Sequence, residues 1–425
     1  MKLIVKKSRL SGKIAIPGSK SHTIRAIAIA SLAQGESHIN RPLYSSDTQA
    51  AINCYSALGA GIDTSDQKLW KVIGTGGNII PPKETIDCLN SGTTLRLAMG
   101  SATLTGHGET IVFTGDEQIQ SRPVGPLLEA LENLGAKCRS LKNNGKPPVE
   151  ITGKLIGGQT PISAFTSQYL SSLLLCTPLA QNDTKIDVTM LNEPGYVQMT
   201  LDWLDKQKIE YENQQMKKFI IKGNQSYKAF NEAIPADFSS ATFFLCGAAL
   251  LADEVNLLGL DFSDSQPDKA VVDYLKAMGA DIQVESDSVK IKASKLIGTE
   301  IDMNATPDAL PAMAVTAAFA EGQTRLVNVP QARNKETDRI ACMAKELKKM
   351  NIRVEELPDG LIIDESQPRP TKLHGWADHR IVMALSLAAM AMDSECIIDT
   401  AEAINVTFPD YVELMKSLGA EIELK

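Results

Sequence analysis

Seven short segments gather side chains that could bind anions or move protons. Pro17-Gly18-Ser19-Lys20-Ser21-His22-Thr23-Ile24-Arg25 follows a strand-like stretch and opens a helix-like one. Gly and Ser free its backbone, helix N-terminal N–H groups attract anions, and Lys20 and Arg25 add positive charge. It is not a Walker A loop, because Gly-x-x-x-x-Gly-Lys-Ser does not match. Asn90–Arg96 is a second polar turn, built around Gly92. Gln120-Ser121-Arg122-Pro123 is a third. Thr166-Ser167-Gln168 offers three hydrogen-bonding side chains at one helix start. Pro307-Asp308, Arg333–Arg339 and Asp378-His379-Arg380 complete the set. Each alone also suits an ordinary helix cap, and Asp308, Asp378 and Ser167 are good N-caps. Together they would bring Lys20, Arg25, Arg122, Lys335, Arg339 and Arg380 to one cleft. Unpaired like charges are costly unless anions neutralise them. The implied ligands carry phosphate and carboxylate groups, which suit bidentate Arg. Asp308 and Glu336 remain to move protons.

These segments recur because the chain repeats itself about every 70 residues. Ala/Leu-rich helix-like runs begin near Ser21, Gly92, Ser167, Ser240, Asp308 and Asp378. They are apolar nearly all round, which predicts helices buried on all sides. An amphipathic helix follows in each copy, then two short strands. The endings Leu58-Gly59-Ala60, Leu134-Gly135-Ala136, Met278-Gly279-Ala280 and Leu418-Gly419-Ala420 supply a left-handed helix stop. Lys206-Gln207-Lys208 and Lys349-Met350-Asn351 are degenerate versions. The unit reads strand, buried helix, strand, amphipathic helix, strand, strand.

A chain of 425 residues predicts two domains, and six units divide into three and three. The expected first domain is discontinuous, about 1–19 plus 234–425, with 20–233 inserted. Its active site would lie in the cleft between them, and two crossing strands would form a hinge. Composition, 43% hydrophobic and 22% charged, is that of a globular protein, and the net charge of −8 argues against a nucleic-acid partner. The apolar runs are too short to span a bilayer, and the first residues lack a signal-peptide core, so a cytoplasmic location is expected. The seven cysteines include no Cys-x-x-Cys, and Cys176 and Cys246 sit in apolar helices as packing residues. His22, His38, His107, His374 and His379 have no metal-ligand spacing. Gly74-Thr75-Gly76-Gly77 precedes prolines rather than a helix and reads as a turn, not a dinucleotide fingerprint.

PGSKSHTIRA, NSGTTLR, GDEQIQSRPVGPLLEAL, TSQYLSSLLL, PDALPAMAVTAAFA, NKETDRI, DHRIVMALSLA and TFPDY resemble, in order and along the whole chain, the 5-enolpyruvylshikimate-3-phosphate (EPSP) synthases. The resemblance implies a two-domain α/β fold of six βαβαββ units, an inside-out α/β barrel of the enolpyruvyl transferase kind. It implies transfer of the enolpyruvyl group of phosphoenolpyruvate to shikimate 3-phosphate, giving EPSP and phosphate on the route to chorismate and aromatic amino acids. No metal or organic cofactor is expected, glyphosate would compete with phosphoenolpyruvate, and a monomer is expected.

By the same resemblance Lys20, Ser21 and Arg25 bind shikimate 3-phosphate, and Lys20 also touches phosphoenolpyruvate. Thr166 and Ser167 hold the shikimate phosphate, and Gln168 reaches both substrates. Gly92, Arg122, Arg339 and Arg380 line the phosphoenolpyruvate pocket. Asp308 accepts the 5-hydroxyl proton; Glu336 delivers one to the methylene, with Lys20 or Lys335 assisting or replacing it. The chain departs from the pattern at Val406, where some members have Lys, and at Gln331-Ala332, where many have Asn-Trp. Thr166 stands where Ser is common. Asn192-Glu193-Pro194-Gly195-Tyr196 carries an apparent extra residue where a Ser near a Pro-Tyr pair is usual, though Tyr196 keeps a place to stack under the ring. Two rivals share parts of the pattern. A UDP-N-acetylglucosamine enolpyruvyl transferase would carry a Cys before its Arg-Pro element, and Gly115–Ser121 has none. A non-catalytic anion-binding paralogue would not need both Asp308 and Glu336.

Overall fold

The computed structural model describes residues 1–106 and 108–425; His107 lies outside them. The chain forms two compact units, Met1–Pro17 with Pro235–Lys425, and Gly18–Ile234. Among the described residues there are six four-stranded sheets, three in each unit. Each sheet has the same pairing pattern, two parallel strands with two antiparallel strands added at one side, and in four of the six a buried helix joins the parallel pair. In one of them Gly158–Ala164 runs parallel to Thr184–Leu191, Thr184 faces Ile221 of Lys218–Ile221, and Tyr211–Gln214 closes the edge. The six-part repeat expected from the sequence is therefore present, as strand, helix, strand, helix, strand, strand.

Chain ends and crossings complete three of the sheets. Asn231–Ala233 runs parallel to Gln34–Asn40, so a strand from the end of the inserted unit completes its first sheet. The N-terminal segment is not one strand but two, in different sheets. Leu3–Val5 lies between Cys396–Ile398 and Ile422–Leu424, and Leu10–Ala15 runs parallel to Ala252–Leu258. Gly12 breaks the segment's apolar alternation at φ +111, and the registers are fixed by distant partners.

The six buried helices are Lys20–Leu32, Gly92–Ala102, Ser167–Cys176, Phe238–Leu251, Leu310–Ala318 and His379–Met390. Nearly every residue in them is buried, as all-round apolarity demands. Helices Gly92–Ala102 and Ser167–Cys176 approach so closely that a Cβ on Gly100 would stand 2.5 Å from Ser172 Oγ. Their neighbours are amphipathic; Arg339–Lys349 buries Ile340, Met343 and Leu347 and leaves its lysines outward. Four of the outer helices stop on Gly59, Gly135, Gly279 and Gly419, all at positive φ. The two degenerate copies reach the same left-handed region with Lys208 and Asn351. All seven cysteines are free and buried. No helix among the described residues is long and apolar enough to cross a membrane.

Candidate active site

Many of the candidate residues lie at the starts of the buried helices, where backbone donors lack intrahelical partners. Side-chain caps are Ser19 on His22 N–H, Ser91 on Thr94 N–H, Thr166 on Gln168 N–H, Asp237 on Ser240 N–H and Asp378 on Arg380 N–H. Asp378 is the cap expected of it. Ser167 is not: Thr166 caps, and Ser167 is the first helical residue. Asp308 does not cap either. It lies in a 3-10 turn, Pro307–Ala309, and its oxygens are taken by cations.

In the unit Gly18–Ile234, Lys20 opens the first helix with Nζ 3.0 Å from Asp47 Oδ2. Arg25 lies one turn in and is 2% exposed. Its Nε donates to Thr200 Oγ1 at 2.9 Å, Nη1 to the Ser21 carbonyl at 3.0 Å, and Nη2 to the Tyr196 carbonyl at 2.9 Å and Ser171 Oγ at 3.5 Å. Each of these acceptors is neutral. Burial pushes the Arg25 pKa down to about 10, since the desolvated cation has only neutral oxygens around it. It is a charge suited to an incoming anion.

Gly92 sits among guanidinium groups. A Cβ there would meet Arg122 Nη1 at 2.7 Å and Arg96 Nη1 at 2.8 Å. Two cationic heads therefore fill the space that a side chain at position 92 would take. Arg122 Nη2 reaches Asn90 Oδ1 at 3.4 Å. Arg96 donates to Gln168 Oε1 at 2.6 Å and stacks over Tyr169, and Gln168 Nε2 donates to Thr93 Oγ1 at 3.0 Å. Gly92, Arg96, Arg122 and Gln168 thus form one polar set. Thr166 and Ser167 do not join it; both turn their hydroxyls to Glu193.

In the other unit Asp308 is the hub. Its Oδ1 lies 2.7 Å from Arg339 Nη1 and 3.8 Å from Lys335 Nζ, and its Oδ2 lies 3.1 Å from Arg380 Nη2. Burial alone would push the Asp308 carboxyl up, but Arg380, Lys335 and Arg339 together hold it well below the usual carboxylate range. Arg339 is fully buried and also binds Asp378 Oδ2 at 2.8 Å and Glu336. Burial disfavours its charge, yet Asp378, Glu336 and Asp308 outweigh that and raise its pKa. Arg380 is anchored to Ser239 Oγ at 2.8 Å.

The expected cations therefore divide. Lys20, Arg25 and Arg122 belong to one unit, Lys335, Arg339 and Arg380 to the other, and Lys20, Lys335, Arg339 and Arg380 already face carboxylates. Sequence reasoning left Arg96, Asp47, Glu193 and Asp378 outside the site. Arg96 carried a signal, since it donates from four residues after Gly92 to the Gly92 carbonyl as Arg25 does to Ser21. Of the departures, Gln331 is buried and donates to the Asn304 carbonyl at 2.8 Å, and Val406 ends the 3-10 stretch Ala401–Val406. Tyr196 contributes its carbonyl to Arg25.

A solved EPSP synthase from Acinetobacter baumannii aligns with this chain at a TM-score of 0.83 and 28% identity, covering 99% of each chain. The enolpyruvyl transferase NikO from Streptomyces tendae aligns at a TM-score of 0.81 and 19% identity, over 99% of this chain and 98% of its own. The architecture is thus that of the enolpyruvyl transferases. Residues 4–415 match the model of the family described as EPSP synthase (3-phosphoshikimate 1-carboxyvinyltransferase). A 3-phosphoshikimate 1-carboxyvinyltransferase from Acetivibrio thermocellus is 54% identical over 422 residues, 99% of either chain. One from Methanococcoides burtonii is 43% identical, covering 100% of this chain and 99% of its own. The chain belongs to the EPSP synthase family.

Proposed function

We propose that this chain moves the carboxyvinyl group of phosphoenolpyruvate to the 5-hydroxyl of shikimate 3-phosphate, releasing phosphate, with Asp308 as the base. The observation that carries this reading is a single carboxylate, Asp308, held by Arg339, Arg380 and Lys335. A neutral hydroxyl is a poor nucleophile and needs a base as it attacks the enol carbon. That carbon becomes electrophilic only as its methylene takes a proton. Glu336 beside Arg339 is the donor in this reading, with Lys20 or Lys335 assisting or replacing it. The tetrahedral adduct then expels phosphate.

The electrostatics support a substrate-armed base. With three cations on it, Asp308 is a weak proton acceptor. The carboxylate and phosphate of phosphoenolpyruvate compete for Arg339, Arg380 and Lys335, and each cation drawn away raises the basicity of Asp308. Arg25 and Lys20 with Ser21 serve the other substrate in this reading, Thr166 and Ser167 hold its phosphate, and Gln168 contacts both. Arg122 and Gly92 border the phosphoenolpyruvate pocket, where glyphosate would compete. A cytoplasmic monomer fits the same reading.

The test is phosphate release by purified protein given phosphoenolpyruvate with shikimate 3-phosphate, beside a reaction with UDP-N-acetylglucosamine. Release with the shikimate substrate alone is expected. Release with the nucleotide sugar alone would overturn the reading.

A further inference from the structure

The carboxylate of Glu193 occupies a place built for an anion. Glu193 takes φ +59 and ψ 48, the left-handed region that residues with a Cβ disfavour, and it is 1% exposed. Its Oε2 accepts from the Ser167 N–H at 3.2 Å, from Ser167 Oγ at 2.7 Å and from Thr166 Oγ1 at 3.5 Å. Ser167 begins a ten-residue helix, so this oxygen lies at the helix's positive end. One N-terminal N–H with two hydroxyls is a donor set that phosphate also takes. A carboxylate and a phosphate cannot both hold those donors, because adjacent like charges repel.

The turn carrying Glu193 is fastened on both sides. Asn192 donates from its N–H to the Ala164 carbonyl at 3.1 Å and from Nδ2 to the Phe165 carbonyl at 3.0 Å, and the Tyr196 N–H reaches the Glu193 carbonyl at 3.1 Å. Backbone strain that survives because its surroundings over-determine it is a marker of function. The same turn presents the Tyr196 carbonyl to Arg25.

We propose that Glu193 is a tethered competitor of the shikimate 3-phosphate phosphoryl group for the Thr166 and Ser167 donors, and so sets the affinity for that substrate. The inference rests on the assignment of those two residues to that phosphate. A tethered carboxylate acts at an effective concentration in the millimolar range, roughly, which turns away free anions that make no other contact. A substrate with further contacts to its ring displaces it.

Calorimetric titration of shikimate 3-phosphate, and separately of inorganic phosphate, tests this in four proteins: wild type, Glu193→Gln, Ser167→Ala and the double variant. Gln keeps the volume and the acceptor and removes the charge. Glu193→Gln is expected to bind both ligands about tenfold tighter, Ser167→Ala to bind them about tenfold weaker, and the double variant to lose the gain. Unchanged or weaker binding by Glu193→Gln, with Ser167→Ala weakened, would overturn the competition and leave the phosphate assignment standing. Unchanged binding by Ser167→Ala would overturn the phosphate assignment and the competition with it. Should Glu193→Gln fail to fold, Glu193→Asp withdraws the carboxylate; it must also tighten binding, and equal or weaker binding overturns the proposal.

Discussion

Arg25 and Arg339 are both buried arginines near the start of a helix, and their surroundings treat them in opposite ways. Arg25 ends on two hydroxyls and two carbonyls, and its pKa falls to about 10. Arg339 ends on Asp308, Glu336 and Asp378, and its pKa rises. A buried cation among neutral oxygens gains from any anion that arrives. A buried cation already holding carboxylates gains only if it exchanges them. The inserted unit thus holds a buried arginine among neutral acceptors, and the other unit one already paired with carboxylates.

The comparison can be broken at several points. The largest effect is expected for Asp308→Asn, a loss of about a hundred- to ten-thousandfold in kcat with shikimate 3-phosphate still bound. Steady-state phosphate release and calorimetry measure the two halves of that statement; undiminished turnover would remove Asp308 from the chemistry. Next, Arg339→Gln leaves Asp378 buried without its cation and should lower stability by about 3–5 kcal/mol in urea unfolding. Arg25→Gln strands no carboxylate and should lower stability by only about 1 kcal/mol, while shikimate 3-phosphate affinity falls about a hundredfold. Equal destabilisation by the two variants would contradict the contrast drawn between them.

A pH series sharpens the same point. The folded-state pKa of Asp308 is depressed, so its ionised form adds stability that is complete above the unfolded pKa of about 3.9. That contribution is lost as pH falls below this value through the folded one. The stability difference between wild type and Asp308→Asn should hold steady from pH 7 to about pH 4 and shrink below it. A difference already shrinking near pH 6 would mean the three cations do not hold Asp308 as described. The smallest effect is expected for Gly92→Ala. Its methyl displaces Arg122 and Arg96 by fractions of an ångström, weakening glyphosate several-fold, about, and phosphoenolpyruvate less. Inhibition constants for both proteins check it.

The repeat was legible because long, all-round apolar runs such as Phe238–Leu251 have few alternatives to a buried helix. Chemistry was legible by residue type: Asp308, Arg339 and Arg380 do meet. What could not be read was partnership. Lys20 pairs with Asp47, and Ser167 with Glu193 twenty-six residues on, because the fold returns the chain there. The extra residue in Asn192–Tyr196 flagged the place, but only the left-handed backbone at Glu193 says which side chain turns inward. The two N-terminal strands were hidden for the same reason, since their registers depend on partners hundreds of residues away.

Those strands have a consequence for synthesis. Gly18–Ile234 is complete in its own strands once Ile234 has left the ribosome. Leu3–Val5, made before the inserted unit, has both of its partners beyond residue 395. At about 5–20 residues per second, the 162 residues from Ile234 to Cys396 (396 − 234) take roughly 8–32 seconds. During that interval Leu3–Val5 waits unpaired while the inserted unit can already fold, whereas Leu10–Ala15 meets Ala252–Leu258 early in it. Unpaired strand edges invite aggregation. The yield of soluble enzyme should therefore depend on translation speed between residues 234 and 396.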